Sequence, residues 1–198
     1  MAEGVFAVDF EEFSAFLARQ RAVRTFSDRP VDDALVASVL AAATRAPSAR
    51  NVQPWRFIVI RSSATKAQLG AIFDELGGQL YGAGAPERTP WKDVPVLVAV
   101  CSEQPFGTGE SAAAALGASI YPAVQNLLLA AHALGLGSVL TTRWKSREGE
   151  IRPLLGLPET MSVHAIIPLG WPARPAGRNR RRAVAEVTYR ERFGESWS

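Results

Sequence analysis

Three polar clusters in this sequence carry side chains suited to holding a ligand. Arg21 and Arg24, in "RQRAVRTF", are three positions apart. In a helix or turn that spacing points both guanidiniums the same way, and paired guanidiniums grip phosphate through charge-assisted hydrogen bonds. Two solvated arginines at a helix C-terminus, favoured by its dipole, would look the same. The loop "APSARNVQPW" sets Ser48, Asn51 and Gln53 between Pro47 and Pro54. Its donors and acceptors on a stiffened backbone suit a planar heterocycle. They equally suit a helix-to-strand turn that satisfies its own backbone, with Trp55 opening the strand as core. The third cluster, "RNRRR", holds four arginines between Arg178 and Arg182. It completes an anion site if the chain folds back, and is otherwise a solvated tail.

Other chemistry is scarce. There are two histidines, His132 and His164, and one cysteine, Cys101. No Cys/His pattern suggests a metal, no Gly-x-Ser-x-Gly elbow is present, and "GLGSVL" and "GAGAPE" lack the last glycine of a dinucleotide fingerprint. No catalytic side chain is expected. If the chain is an enzyme, a bound cofactor must carry the reaction.

The elements that would position these clusters can be read from periodicity. Asp9 and Glu12 form a capping box ahead of a helix with Phe10, Phe13, Phe16 and Leu17 on one face. Asp32 caps a second helix, stapled by Val31 and Val36, that stops before Pro47. "RFIVIRS" is a strand, "TKAQLGAIFDEL" a helix, and Gly78 to Trp91 a Gly/Pro-rich loop. "VPVLVAVCS" is a strand apolar on both faces. A long helix from about Ser111 to Leu134 is apolar nearly all round, with Pro122 implying a kink or a broken start. "GSVLTT" reads as a third strand, "REGEIRPLLGL" as a short helix and "VHAIIPLG" as a fourth strand. "AVAEVTYRERF" reads as a closing edge strand.

The 198 residues fit one domain, 1–198, with an extended arm over 171–198 that lies on its own subunit or wraps a neighbour. The apolar fraction of 47% supports a packed core. With a net charge of +3 and no aromatics interleaved in the arginine run, nucleic acid is not an expected partner. No run of eighteen apolar residues predicts a membrane span. The acidic N-terminus does not resemble a signal peptide, and the lone cysteine rules out an internal disulfide, so a cytoplasmic location is expected.

Order and spacing of four motifs resemble the FMN-dependent nitroreductase family. These are "QRAVRTF", "APSARNVQPWRFIVI", "GASIYPAVQNLLLAAHALGLGSVLTT" and "IIPLGWPARP" with "RRRAVAEV". They span Phe10 to Phe193. The resemblance implies an α+β fold: a three-layer α/β/α sandwich with a mainly antiparallel central sheet, a long central helix and a C-terminal arm exchanged in a homodimer. It implies FMN at the dimer interface. Arg21, Arg24 and either Arg181 or Arg182 would hold the phosphate, with Ala22 offering only backbone where relatives usually have serine. Pro47, Ser48, Ala49 and Asn51 of the other subunit would meet the ring, and Thr141 and Thr142 would pass its reactive edge. NADH or NADPH would deliver hydride to flavin N5. A small electron-poor acceptor, such as a nitroaromatic or quinone, would then take it in the same pocket. A lid at Gly78–Trp91 and "SEQPFGTGE" would set the acceptor, with Tyr81, Trp91 and Phe106 able to stack on it. Two alternatives share this resemblance: a specialised relative (a dehalogenase, a flavin-cleaving or a ring-oxidising enzyme) and a protein that sequesters FMN without turnover.

Overall fold

The computed structural model describes residues 8–84, 86–175 and 177–197. The chain separates into two compact units, residues 22–176 and residues 1–21 with 177–198.

The larger unit is built on four antiparallel strands in the order β1-β2-β4-β3: β1 Trp55–Ile60, β2 Val96–Ser102, β3 Gly137–Ser138 and β4 Ser162–Gly170. β2 is buried along its whole length, as its unbroken apolar run requires. Its side chains alternate. Val96, Val98 and Val100 join one core, which also takes Val36, Val39 and Ala43 of helix α2 (Asp33–Ala43) and the inner face of helix α4 (Glu110–Ala133). Leu97, Ala99 and Cys101 join the opposite core with Leu69, Ile72 and Phe73 of helix α3 (Ser63–Tyr81) and Ile151 of helix α5 (Glu148–Leu154). Helices therefore cover both faces of the sheet, with α2 and α4 on one side and α3 and α5 on the other.

The elements confirm most of the periodicity. Val31 and Val36 are buried together at the start of α2, although the Asp32 side chain makes no cap bond there. α4 is long and apolar enough, by length and composition, to cross a membrane. Its Leu116, Ile120, Val124 and Leu127 instead line the sandwich core. The helix runs unbroken through Pro122. The proline deprives the Ala118 carbonyl of its helical donor, and Ala118 is exposed, where water can substitute. Lys66 is the one buried cation among the described residues; its Nζ donates to the Val94 carbonyl at 2.5 Å and ties α3 to the entry of β2.

Three expectations are corrected. α3 runs on to Tyr81, so the irregular segment begins four residues later than Gly78. "GSVLTT" is a strand only at Gly137–Ser138; the chain leaves the sheet and touches β4 again at one bridge, Thr141 to Ile166. "AVAEVTYRERF" is not an edge strand. It starts with a 3-10 turn, Val184–Glu186, in which the Glu186 carboxylate accepts the Ala183 N–H, and it ends in a single Tyr189–Ser196 bridge.

In the smaller unit, helix α1 (Phe10–Arg19) opens with Asp9 accepting the Glu12 N–H at 2.8 Å. Asn179 closes the other end. Its N–H donates to the Ala18 carbonyl at 2.8 Å, and its side-chain amide donates to the Leu17 and Gln20 carbonyls at 3.0 Å each. The arm thus caps α1 of its own chain, supplying donors to carbonyls that a helix end leaves orphaned.

Candidate functional site

Residues 22–26 are extended, not helical. Ala22 bridges Ser138 in parallel, the Val23 N–H donates to the Ser138 carbonyl at 3.0 Å, and Phe26 bridges Pro172. Gly137 is required here, since a Cβ on it would lie 2.6 Å from Val23 Cγ1. On the other side, the Thr89 N–H donates to the Arg24 carbonyl at 2.9 Å, and Thr89 Oγ1 accepts the Phe26 N–H at 2.8 Å. Arg24 is pinned by its backbone while its side chain is exposed, with no ion-pair partner among the described residues.

Arg24 opens into a narrow cleft, open in part to solvent, which Thr141 also lines. The structure thus brings together two of the residues singled out in the sequence. Thr141 is fixed from both sides: its Oγ1 donates to the Ile166 carbonyl at 2.5 Å, and its own carbonyl accepts the indole N–H of the fully buried Trp144 at 3.2 Å. Thr142 is exposed beside it. The cleft also gathers residues the sequence did not single out, Arg88, Thr89, Arg143 and Phe73. Trp91, expected to stack on a ligand, is buried and stacks on Phe73, with centroids 4.4 Å apart. It forms part of the cleft wall. Phe106 packs against the α2–α4 core, and the Arg50 guanidinium lies 5.5 Å from its ring. The Tyr81 side chain lies outside the described residues.

The loop after α2 forms its own small structure. Ser48 Oγ accepts the Gln53 N–H at 3.0 Å, and the Ser48 carbonyl accepts the Asn51 N–H at 2.9 Å. The Ala49 N–H donates to Ser119 Oγ of α4 at 3.1 Å. Arg50, Asn51 and Gln53 all have left-handed backbone, with φ of 53°, 55° and 51°. Three such non-glycine residues within four positions store strain that the surrounding bonds must hold. The Ser48 hydroxyl thus accepts one hydrogen bond inside the loop, as a turn residue does, and keeps its own O–H to donate. Pro47, Ala49 and Asn51 remain exposed, and none of them lines the cleft among its described residues. Arg21, Arg181 and Arg182 are exposed in the smaller unit, where the Arg181 guanidinium donates to the Arg180 carbonyl at 2.8 Å.

Two titratable groups of the sheet, Cys101 and His164, are held largely out of water. Burial pushes the Cys101 thiol up to about 12, so no thiolate is available near neutrality. His164 is the extra residue at the β2–β4 bulge, and its Nε2 is 2.8 Å from Ser102 Oγ. Burial, and then the charge of Lys145, lower its pKa to about 4. The unfolded chain therefore binds a proton between about pH 6.5 and pH 4 that the folded chain refuses. That part of the stability is intact above pH 6.5 and is lost as pH falls towards 4. His164→Gln, compared with the parent in denaturant melts, should flatten the stability-versus-pH curve in this window by up to about 1.4 kcal/mol per pH unit. Parallel curves would show that the ring is protonated as easily folded as unfolded. No group of acids, histidines and cysteine able to hold a metal occurs among the described residues.

An antiparallel sheet covered by helices on both faces defines an α+β protein, and the cleft lined by Arg24, Arg88 and Arg143 gives it a cationic surface concavity. The chain belongs to the nitroreductase family, whose model matches residues 17–171. It is 34% identical over 160 residues to a Methanothermobacter thermautotrophicus protein named for NADH dehydrogenase/NAD(P)H nitroreductase activity, covering 80% of this chain and 76% of the relative. It is 30% identical over 180 residues to an iodotyrosine deiodinase of Thermotoga neapolitana, covering 84% and 91%. Among solved structures, a nitroreductase-type protein of Desulfovibrio desulfuricans in complex with FMN superposes with a TM-score of 0.72 at 30% identity, covering 91% of this chain and 96% of that one. The chain is accordingly a nitroreductase-family flavin oxidoreductase.

Proposed function

We propose that this protein is an FMN-dependent oxidoreductase that takes hydride from NADH or NADPH and passes it to a small electron-poor acceptor such as a nitroaromatic or quinone. The observation that carries the reading is the cleft, where Arg24 and Thr141 meet and no carboxylate occurs among the described lining residues. An anionic, planar cofactor fits that donor set. Arg24, Arg21 and one of Arg181 and Arg182 would hold the phosphate by charge-assisted hydrogen bonds. Ala22 would contribute backbone only. Bound FMN would supply the hydride-accepting and hydride-donating chemistry, so no side chain has to act as acid or base.

Pro47, Ser48, Ala49 and Asn51 would reach the ring from a second copy of the chain. Two features support a homodimer. The loop is exposed in its own chain, and the smaller unit leaves Phe10, Val184, Phe193 and Trp197 between 54% and 90% exposed, more large apolar surface than so small a unit hides by itself. The residue range 1–198 would act as one domain once that surface is covered. Thr141 and Thr142 would flank the reactive edge of the ring. Similarity to an iodotyrosine deiodinase keeps reductive dehalogenation as a second reading of the acceptor.

The test is direct. The purified protein should be yellow, or should become so on adding FMN, with one flavin per chain and a dimeric mass in solution. A colourless protein that leaves added FMN free would sink the proposal. Within the loop, Asn51→Gly keeps left-handed backbone accessible while removing the side-chain amide. It should leave the melting midpoint nearly unchanged and weaken FMN binding or shift its reduction potential. Unaltered affinity and potential would take Asn51 out of the site.

A further inference from the structure

The loop between α2 and β1 is tied to α4 through one buried hydroxyl. Ser119 lies inside α4 with 1% of its surface exposed. A serine in a helix interior can bond back to the carbonyl four residues earlier, and here Oγ donates to the Ala115 carbonyl at 2.8 Å. That bond uses the hydroxyl's single proton and leaves its lone pairs to accept. Oγ accepts the Ala49 N–H at 3.1 Å. Two helical turns on, at Asn126 on the same face, the side-chain amide donates to the Ala42 carbonyl at 3.4 Å. α4 therefore holds both the last turn of α2 and the loop that follows it. Its own place is fixed by the core, through Leu116, Ile120, Val124 and Leu127. The anchor meets the loop where its backbone is most demanding. Arg50, directly after Ala49, opens the left-handed run that continues at Asn51 and Gln53. Such backbone persists only where its surroundings over-determine it. The bonds from the Asn51 and Gln53 N–H groups to Ser48 hold the shape of the loop. They do not fix where that shape sits against the sandwich. The bond to Ser119 does, two residues before Asn51. The other ties are longer: the Arg56 guanidinium reaches the Gln53 carbonyl at 3.4 Å, and that of Arg50 lies 5.5 Å from the Phe106 ring.

We infer that Ser119 is a positioning residue: through Ala49 it sets the place of the Asn51 amide against the flavin ring of a neighbouring copy. This deepens the function proposed above and rests on its assignment of Asn51 to the ring. A group that binds a ring has to be held within about 0.5 Å of its productive place by the residues behind it. Ser119→Ala removes the acceptor while keeping a good helix former in α4. The Ala49 N–H then turns to water, and the left-handed run after it is free to relax.

The test compares Ser119→Ala, Asn51→Gly and the double variant with the parent, all as the full chain. FMN titration and the flavin reduction potential are measured on each, and hydrogen exchange of the Ala49 amide is followed in the FMN-free protein. In Ser119→Ala the Ala49 amide should exchange about tenfold faster or more. FMN should bind about tenfold more weakly, with a shifted potential. Because Ser119 acts through Asn51, its substitution should cost little more once Asn51→Gly is in place. Ser119→Cys, whose sulfur is a weak acceptor, should fall between parent and alanine variant, and it carries the test if Ser119→Ala fails to fold. Parent-like affinity and potential in Ser119→Ala, despite a freed Ala49 amide, would overturn the proposal. So would an Ala49 amide that exchanges as in the parent, or fully additive losses in the double variant. A parent that takes up no FMN would defeat the flavin reading and this role with it, whereas a parent that binds FMN no better than Ser119→Ala would defeat this role alone.

Discussion

Arg24→Ala should weaken FMN binding by about 10- to 150-fold, the equivalent of about 1.5–3 kcal/mol for a charge-assisted hydrogen bond. The effect should be confined to the cofactor. The Arg24 backbone is held by the Thr89 N–H, a contact the substitution keeps, and its side chain is exposed with no ion pair to lose among the described residues. Melting of the FMN-free variant should therefore match the parent within about 0.5 kcal/mol. Arg24→Lys should recover only part of the affinity, because an ammonium restores charge without the planar two-donor fork. Fluorescence titration with FMN measures all three proteins. Equal affinities would remove Arg24 from the phosphate site.

Trp144→Ala should destabilise the fold by about 3–5 kcal/mol. Trp144 is fully buried in the core shared by α3, α5 and the Leu97–Ala99–Cys101 face of β2. Its loss also strips the Thr141 carbonyl of the indole donor. The same bond steadies the segment that lines the cleft, so cofactor affinity should fall together with stability. Denaturant midpoints and FMN titration read the two effects. A loss below about 1 kcal/mol would mean that the core collapses around the cavity.

Most of the sandwich was legible because burial writes itself into local pattern. β2 and β4 are continuous apolar runs, α2 carries a clean stripe, and the capping residue Asp9 does what its position predicts. The failures share a cause. "GSVLTT" has β-branched residues, but the Thr141 hydroxyl bonds the Ile166 carbonyl itself, offering the backbone an alternative to a regular ladder. "AVAEVTYRERF" alternates like an edge strand, yet the Glu186 carboxylate turns it at once, and the pattern alone supplied no strand to pair with. In the loop, Ser48 was readable as a ligand donor or as a turn residue, and only geometry shows that its oxygen accepts the Gln53 N–H while its O–H is still able to donate. Arg88 and Arg143 were invisible as a pair. One lies in a Pro-rich loop and the other beside a threonine pair, and they meet only because α3 carries Phe73 between them. A signal did exist in the Thr-Thr-Arg run, where an arginine immediately follows two candidate site residues.

The proposed function has the chain bind FMN and cycle it with a nicotinamide donor. It is tested most directly by mixing the FMN-loaded protein anaerobically with NADH, and separately with NADPH, while the visible flavin absorption is followed. The expected result is bleaching with at least one of the two, and return of the colour when an electron-poor aromatic acceptor is added. Bound FMN that stays yellow with both donors would contradict it, and would mark the protein as a flavin carrier.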